Sequence, residues 1–302
     1  MWRHVKYPEK VSSTDSVITM KLIMDEVLQT ANYPSLMYRD LYQFVTPCTL
    51  PKENYLTVVL HIGIVEVDIK HQNKVLPVIA YLGFRNSHKG SWFVAVDQRR
   101  MEGDIVEESA VKAGFKWSND HWQWNNCDGV DILSEKEALV SFINTLSDEK
   151  RLSRAKGVVL ITPRYDVSLA ILISALTSYN LLKQFLSIVK GFGDMEMLTV
   201  SKNIQFKSSG LKAYEDYYKE NIEKFEKVLD FTEPQKISKS IFIILEKLLQ
   251  DKPNYENFHR LYVRPSISPY TYKLLYNSQI LELRENYHRI TILNQVNNGT
   301  LI

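Results

Sequence analysis

The sequence predicts an α/β fold followed by a smaller, mainly helical region, and three observations carry that expectation. First, "SEKEALVSFINTL" (134–146), "GVVLI" (157–161) and "DVSLAILISALTSYNLLKQFLSIVKGF" (166–192) read as helix, doubly buried strand, helix, the alternation of a sheet with covering helices. Second, "YLTVVLHIGIVEVDI" (55–69), "KVLPVIAYLGF" (74–84) and "GSWFVAV" (90–96) are rich in β-branched and aromatic residues and read as strands. Third, from about Gly210 onward the pattern turns to helical spacing, with no strand among the helices until "RITIL" (289–293).

Taken in order, "MDEVLQTANY" (24–33) has the local look of a helix start. The strands 55–69 and 74–84 are separated by the turn "KHQN". Ser134 followed three residues later by Glu137 is a capping box, so a helix opens at 134. The run 157–161 is short, continuous and apolar, as a strand covered on both faces must be. The stretch 166–192 breaks near Tyr179-Asn180 into two helices, and "GFGD" (191–194) reads as a helix C-cap. "GLKAYEDYYKENIEKFEKVL" carries an aromatic stripe at helical spacing (Tyr214, Tyr217, Tyr218, Phe225). "PQKISKSIFIILEKLLQD" starts on Pro234, which suits a first helical turn. A third helix is expected in "SPYTYKLLYNSQILELREN".

The chain of 302 residues is 45% hydrophobic and 24% charged, ordinary for a globular protein, and has a formal net charge of +2. A nucleic-acid surface would therefore have to be a local patch. No apolar run reaches the ~20 residues of a membrane helix, and no signal-peptide core is visible at the N-terminus. Cys48 and Cys127 are too few and too far apart for a disulfide framework or a zinc site. A reduced, cytoplasmic setting is expected.

Three segments, "LIMDEVLQTANYPSLMYRDLYQFVTP" (22–47), "EKEALVSFINTL" through "KGVVLI" (135–161) and "LAILISALTSYNLLKQFLSIVKGFGD" (169–194), together resemble the exuperantia family of maternal messenger-RNA-localisation proteins. The resemblance implies a ribonuclease-H-like, exonuclease-type mixed sheet flanked by helices over 1–204, then a helical domain similar to a sterile-alpha-motif fold over 205–302. It makes "MDEVLQTANY" a strand rather than a helix. It also implies RNA binding, dimerisation and no nuclease activity; no cofactor is expected. The chain departs from the family between about Tyr55 and Leu133, where it is longer and reads as an inserted segment. There "AVKAGFKWSNDHWQWNN" (110–126) also resembles a small module of some DNA-annealing and helicase proteins.

Exonucleases of this class hold two divalent ions with four carboxylates, hard oxygen ligands for hard cations. The first two alternate along one strand, because i and i+2 share a face. Here those positions are Asp15 and Val17, and valine cannot ligate. The third follows the buried strand, where Asp166 stands. The fourth would lie on a later helix, where Tyr214 is followed four residues on by Tyr218 instead of an acid. Asp15 and Asp166 are thus vestigial at most: Asp15 is suited to cap a turn, and Asp166 is well placed as a helix N-cap. No metal site, no Gly-rich phosphate loop and no G-x-S-x-G elbow is present in the sequence.

Trp117, Trp122 and Trp124 suit either base stacking or a local core for the inserted segment. Lys202, Lys207, Lys212, Lys236, Lys239, Arg260 and Arg264 suit either solvated helix faces or a phosphate-tracking groove between the two domains. The expectation is a non-catalytic RNA-binding adaptor for messenger-RNA transport in germ-line ribonucleoprotein particles, homodimeric and meeting other transport-complex proteins. The alternatives are a 3′–5′ exonuclease with an unconventional metal site and a protein scaffold that touches no nucleic acid.

Overall fold

A computed structural model describes residues 53–69, 74–98, 105–118, 121–125, 129–163, 165–195, 211–249 and 263–264, with Leu50, Thr199 and Ile204. Three long strands, β1 (Tyr55–Ile69), β2 (Lys74–Asn86) and β3 (Ser91–Val96), form an antiparallel meander. The short strands β4 (Phe115–Ser118) and β5 (His121–Trp124) make a separate hairpin. The main sheet is completed by β6 (Ile132–Leu133), β7 (Gly157–Thr162), β8 (Val189–Asp194) and β9 (Val263–Arg264). Its seven strands lie in the order β6-β3-β2-β1-β7-β8-β9, with β7 parallel to β1 and β8 parallel to β7. This mixed sheet flanked by helices is compatible with a ribonuclease-H-like arrangement.

One face is covered by helices α2 (Glu135–Leu152), α3 (Tyr165–Ser178) and α4 (Leu182–Ile188), numbered after a short α1 (Glu107–Lys112). Alternation decides which strand residues they meet: Leu56, Val58, Leu60 and Ile62 of β1, with Val158 and Leu160 of β7, join Phe142, Leu172 and Phe185 of the helices in one cluster. The expected capping box is present. Ser134 Oγ accepts from Glu137 N, and Glu137 Oε2 accepts from Ser134 N at 3.0 Å, so two orphan amides at the start of α2 are satisfied. The strand expected at 157–161 is β7, with all six residues buried.

The opposite face carries α5 (Leu211–Glu220) and α6 (Pro234–Leu248). Tyr214, Tyr218, Ile237, Ile241 and Leu245 share one cluster with Tyr55 and Val59 of β1 and Val159 and Ile161 of β7. The described part of 205–302 is therefore a layer on the sheet, without a core of its own. An α/β sheet with one face bare would expose a second apolar surface, and this layer removes it from water.

Three expectations are corrected. "GFGD" is the end of strand β8, not a helix cap: beside β7 its backbone groups find a parallel partner, and context outweighs glycine's low strand propensity. The helix expected to run from Leu211 to Leu229 stops at Glu220 and gives way to a 3-10 turn at Ile222–Lys224. Phe225 then folds back edge-on against Tyr217 and Tyr218, and Asn221 Nδ2 bonds Tyr217 O at 2.9 Å. The segment expected as an insertion, 55–133, supplies β1, β2 and β3, and only 105–124 forms an accessory module (α1, β4, β5) over the far end of the β1–β2 hairpin. "MDEVLQTANY", the helix expected at 268–286 and "RITIL" lie outside the described residues.

Candidate nucleic-acid interface

Strand β7 ends at Thr162, and α3 begins at Tyr165, so Asp166 falls in the first turn of α3 at the carboxyl end of a parallel strand. Strand β1 runs beside β7 in register from Tyr55–Gly157 to Val59–Ile161. The β1 residues that follow, at the level where α3 begins, are Leu60, His61, Ile62 and Gly63. Leu60 and Ile62 enter the α2–α4 core, which leaves His61 and Gly63 as the alternating pair on the other face. The first alternating carboxylates on β1 are Glu66 and Asp68, both exposed and past the end of the β1–β7 pairing. Glu66 is held by its backbone, which donates to Ser109 Oγ at 2.9 Å and accepts from Val106 N at 2.8 Å. Among the described residues, no group of three or more His, Cys, Asp or Glu is placed to share a metal ion. Asp15 and Val17 lie outside the described residues. Tyr218, at the position where a fourth acid was sought, is buried, and Tyr214 one turn before it is buried too and donates its hydroxyl hydrogen bond to Pro163 O at 2.9 Å, tying α5 to the end of β7.

His61 packs against Tyr81 of β2, with Nδ1 3.2 Å from the phenol oxygen and ring centroids 5.6 Å apart. Burial brings the imidazole pKa down to about 4 and pushes the Tyr81 phenol up. The unfolded chain, with an ordinary imidazole near 6.5, then takes up the proton more readily than the folded one. Stability from this group is complete above pH ~6.5 and is lost as pH falls toward 4, by up to about 3 kcal/mol. Urea unfolding across this window is expected to show that loss in the parent and a flatter curve in His61→Gln. Equal slopes in the two proteins would remove His61 as the cause.

Of the seven expected cations, Lys202, Lys207 and Arg260 lie outside the described residues. Arg264 is in β9, paired through the backbone with Phe192. Lys212 is exposed in the first turn of α5, and Lys239 is exposed on α6. Lys236 is committed elsewhere: its Nζ is 2.7 Å from Glu233 Oε1 and 3.2 Å from Asp230 Oδ2. Asp230 also accepts from Thr232 N and Thr232 Oγ1, and its pKa is lowered to about 2 although burial opposes this. This group orders the turn that leads into α6, and its two carboxylates neutralise the Lys236 charge locally.

The tryptophans separate. Trp124 is 1% exposed, edge-on to Phe115 at 5.2 Å and to Tyr81 at 5.7 Å. Trp117, on the same hairpin face one pair further out, is 46% exposed. Among the described residues, no helix is long and apolar enough to cross a membrane. A scan of protein-family models gives no match to this chain, and a search of curated proteins gives none either.

Proposed function

We propose that the protein is a non-catalytic RNA-binding adaptor of the kind the exuperantia resemblance implies, acting as a homodimer in cytoplasmic messenger-RNA transport particles. The observation that carries this reading is the sheet itself. An antiparallel β3-β2-β1 half is continued by parallel β7 and β8, with helices on both faces. Two of the three resembling segments fall on consecutive elements of it: 135–161 on α2 and β7, and 169–194 on α3, α4 and β8. The non-catalytic reading rests on the sequence, where Val17 and Tyr218 stand in place of two of the four carboxylates a two-metal mechanism needs.

Binding of a labelled single-stranded RNA should weaken with salt, log K falling by about 0.7 per phosphate contact for each unit of log salt. The same RNA should stay at full length in Mg²⁺ or Mn²⁺. Shortening that Asp166→Asn abolishes would establish the exonuclease alternative. Salt-independent or absent RNA binding would leave the protein scaffold.

A further inference from the structure

At the end of the sheet where β7 and β8 begin, several turns meet. The β2–β3 turn is tied to the start of β1 by Ser87 N→Thr57 O at 2.9 Å, and to α2 by Asn86 Nδ2→Glu149 Oε2 at 2.7 Å. The entry to β7 is tied to the entry to β1 by Lys156 N→Asn54 O at 2.8 Å. The stem of Lys190, at the start of β8, lies so close over Gly157 that a Cβ there would meet it at 2.3 Å. Lys89, Arg151, Arg154, Lys156 and Lys190 are all exposed on this one pole. The nearby acids are partly used. Glu149 holds Asn86, Asp148 lies 3.2 Å from Arg151, and Glu53 is exposed. In a chain whose net charge is only +2, this is a local concentration of positive charge.

Two of these cations occupy backbone positions that do not suit them. Lys89 has φ 67° and Arg154 has φ 53°, in the left-handed region where glycine or asparagine is less strained. The chain does place asparagine at one such turn, Asn180 with φ 59°. Cations near the end of α2 also complement the helix dipole, which accounts for Arg151. It does not account for Lys89, Lys156 and Lys190, which belong to other elements.

We propose that this pole is the surface that binds the phosphate backbone of single-stranded RNA. The inference rests on the RNA-binding reading above and moves the contact away from the α5–α6 cations. The pole crosses the ends of β2, β1, β7 and β8, three strand spacings or about 14 Å, enough for a few successive nucleotides. An anionic membrane is the poorer occupant. Surface-lying segments insert several apolar side chains, and among the described residues this pole exposes one large one, Leu152 at 72%.

The test uses the full chain, a fluorescein-labelled oligouridine and the double variant Lys89→Asn/Arg154→Asn. Asparagine tolerates the left-handed region, so removing the charge should leave the melting temperature equal or raised. Affinity should nevertheless fall about tenfold, and the salt slope should become shallower by about 1.4, two contacts at ~0.7 each. Lys212→Asn/Lys239→Asn should give a smaller loss. If the pole variant binds like the parent while the helix variant loses binding, the pole is wrong and the RNA reading stands. If the parent does not bind oligouridine even at low salt, both fall. Pole-dependent binding to phosphatidylserine vesicles without binding to RNA would overturn the assignment in favour of a membrane.

Discussion

Gly63→Ala is expected to destabilise the protein by about 3 kcal/mol, a large effect for a single methyl group. A Cβ at Gly63 would sit 2.0 Å from the Tyr81 ring and within 2.4 Å of two more of its atoms. The ring cannot swing away. Tyr81 is 4% exposed and packed at 5.3 Å against Phe93, 5.7 Å against Trp124 and 5.6 Å against His61. A glycine inside a strand ordinarily weakens it, so this one is kept for the ring that lies across it. Chemical denaturation of the single variants and of Gly63→Ala in a Tyr81→Ala background gives the decisive comparison. With the ring gone, the added methyl should cost almost nothing, leaving a coupling of about 3 kcal/mol. A full cost in the double variant would show that the strain lies in the backbone of β1 instead.

The same site shows where sequence reading succeeds and where it stops. The strands at 55–69, 74–84 and 90–96 were legible because alternation and β-branched content are local properties, as was the capping box at Ser134. The shift in register between Gly63 and Ile64 was not. There β2 carries one extra residue, so that Ala80 and Tyr81, neighbours that strict alternation would send to opposite faces, both enter the same cluster. Nothing in "VIAYLGF" announces a bulge, because its cause is the partner strand. Likewise the aromatic stripe of α5 was visible, but not that it would seat on β1 and β7 and close the sheet's second face. Lys212, Lys236 and Lys239 were legible as cations on helices; that Lys236 is consumed by Asp230 and Glu233 follows only from how the chain turns into α6. Lys89, Arg154 and Lys190 are far apart in sequence, and strand pairing brings their turns to one pole.

Trp124→Ala should be the other severe substitution, costing about 4 kcal/mol, whereas Trp117→Ala should cost less than about 1 kcal/mol. Both residues belong to one hairpin and point to one face, so sequence alone treats them alike. The fold distinguishes them. Trp124 fills the space between Phe115 of its own hairpin and Tyr81 and Phe93 of the main sheet. Gly114, with φ 92°, brings the chain so close that a Cβ would meet the indole at 3.2 Å. Among the described residues, the module's polar ties to the sheet are the Ile105–Val67 bridge, the bond Val106 N donates to Glu66 O and the bond Glu66 N donates to Ser109 Oγ, and Ile105, Ala110, Ala113 and Phe115 pack beside the indole in the same cluster. Removing the indole therefore leaves a cavity at the joint between module and sheet, and the module should open before the rest of the protein unfolds. Limited proteolysis should show new cleavage within 105–124 in Trp124→Ala while 134–194 stays protected, and Trp117→Ala should cleave like the parent. A Trp117→Ala variant less stable than Trp124→Ala would contradict this packing. If Trp117→Ala instead keeps its stability but lowers RNA affinity, the exposed indole stacks on bases, and the hairpin adds a second contact to the one made by the basic pole.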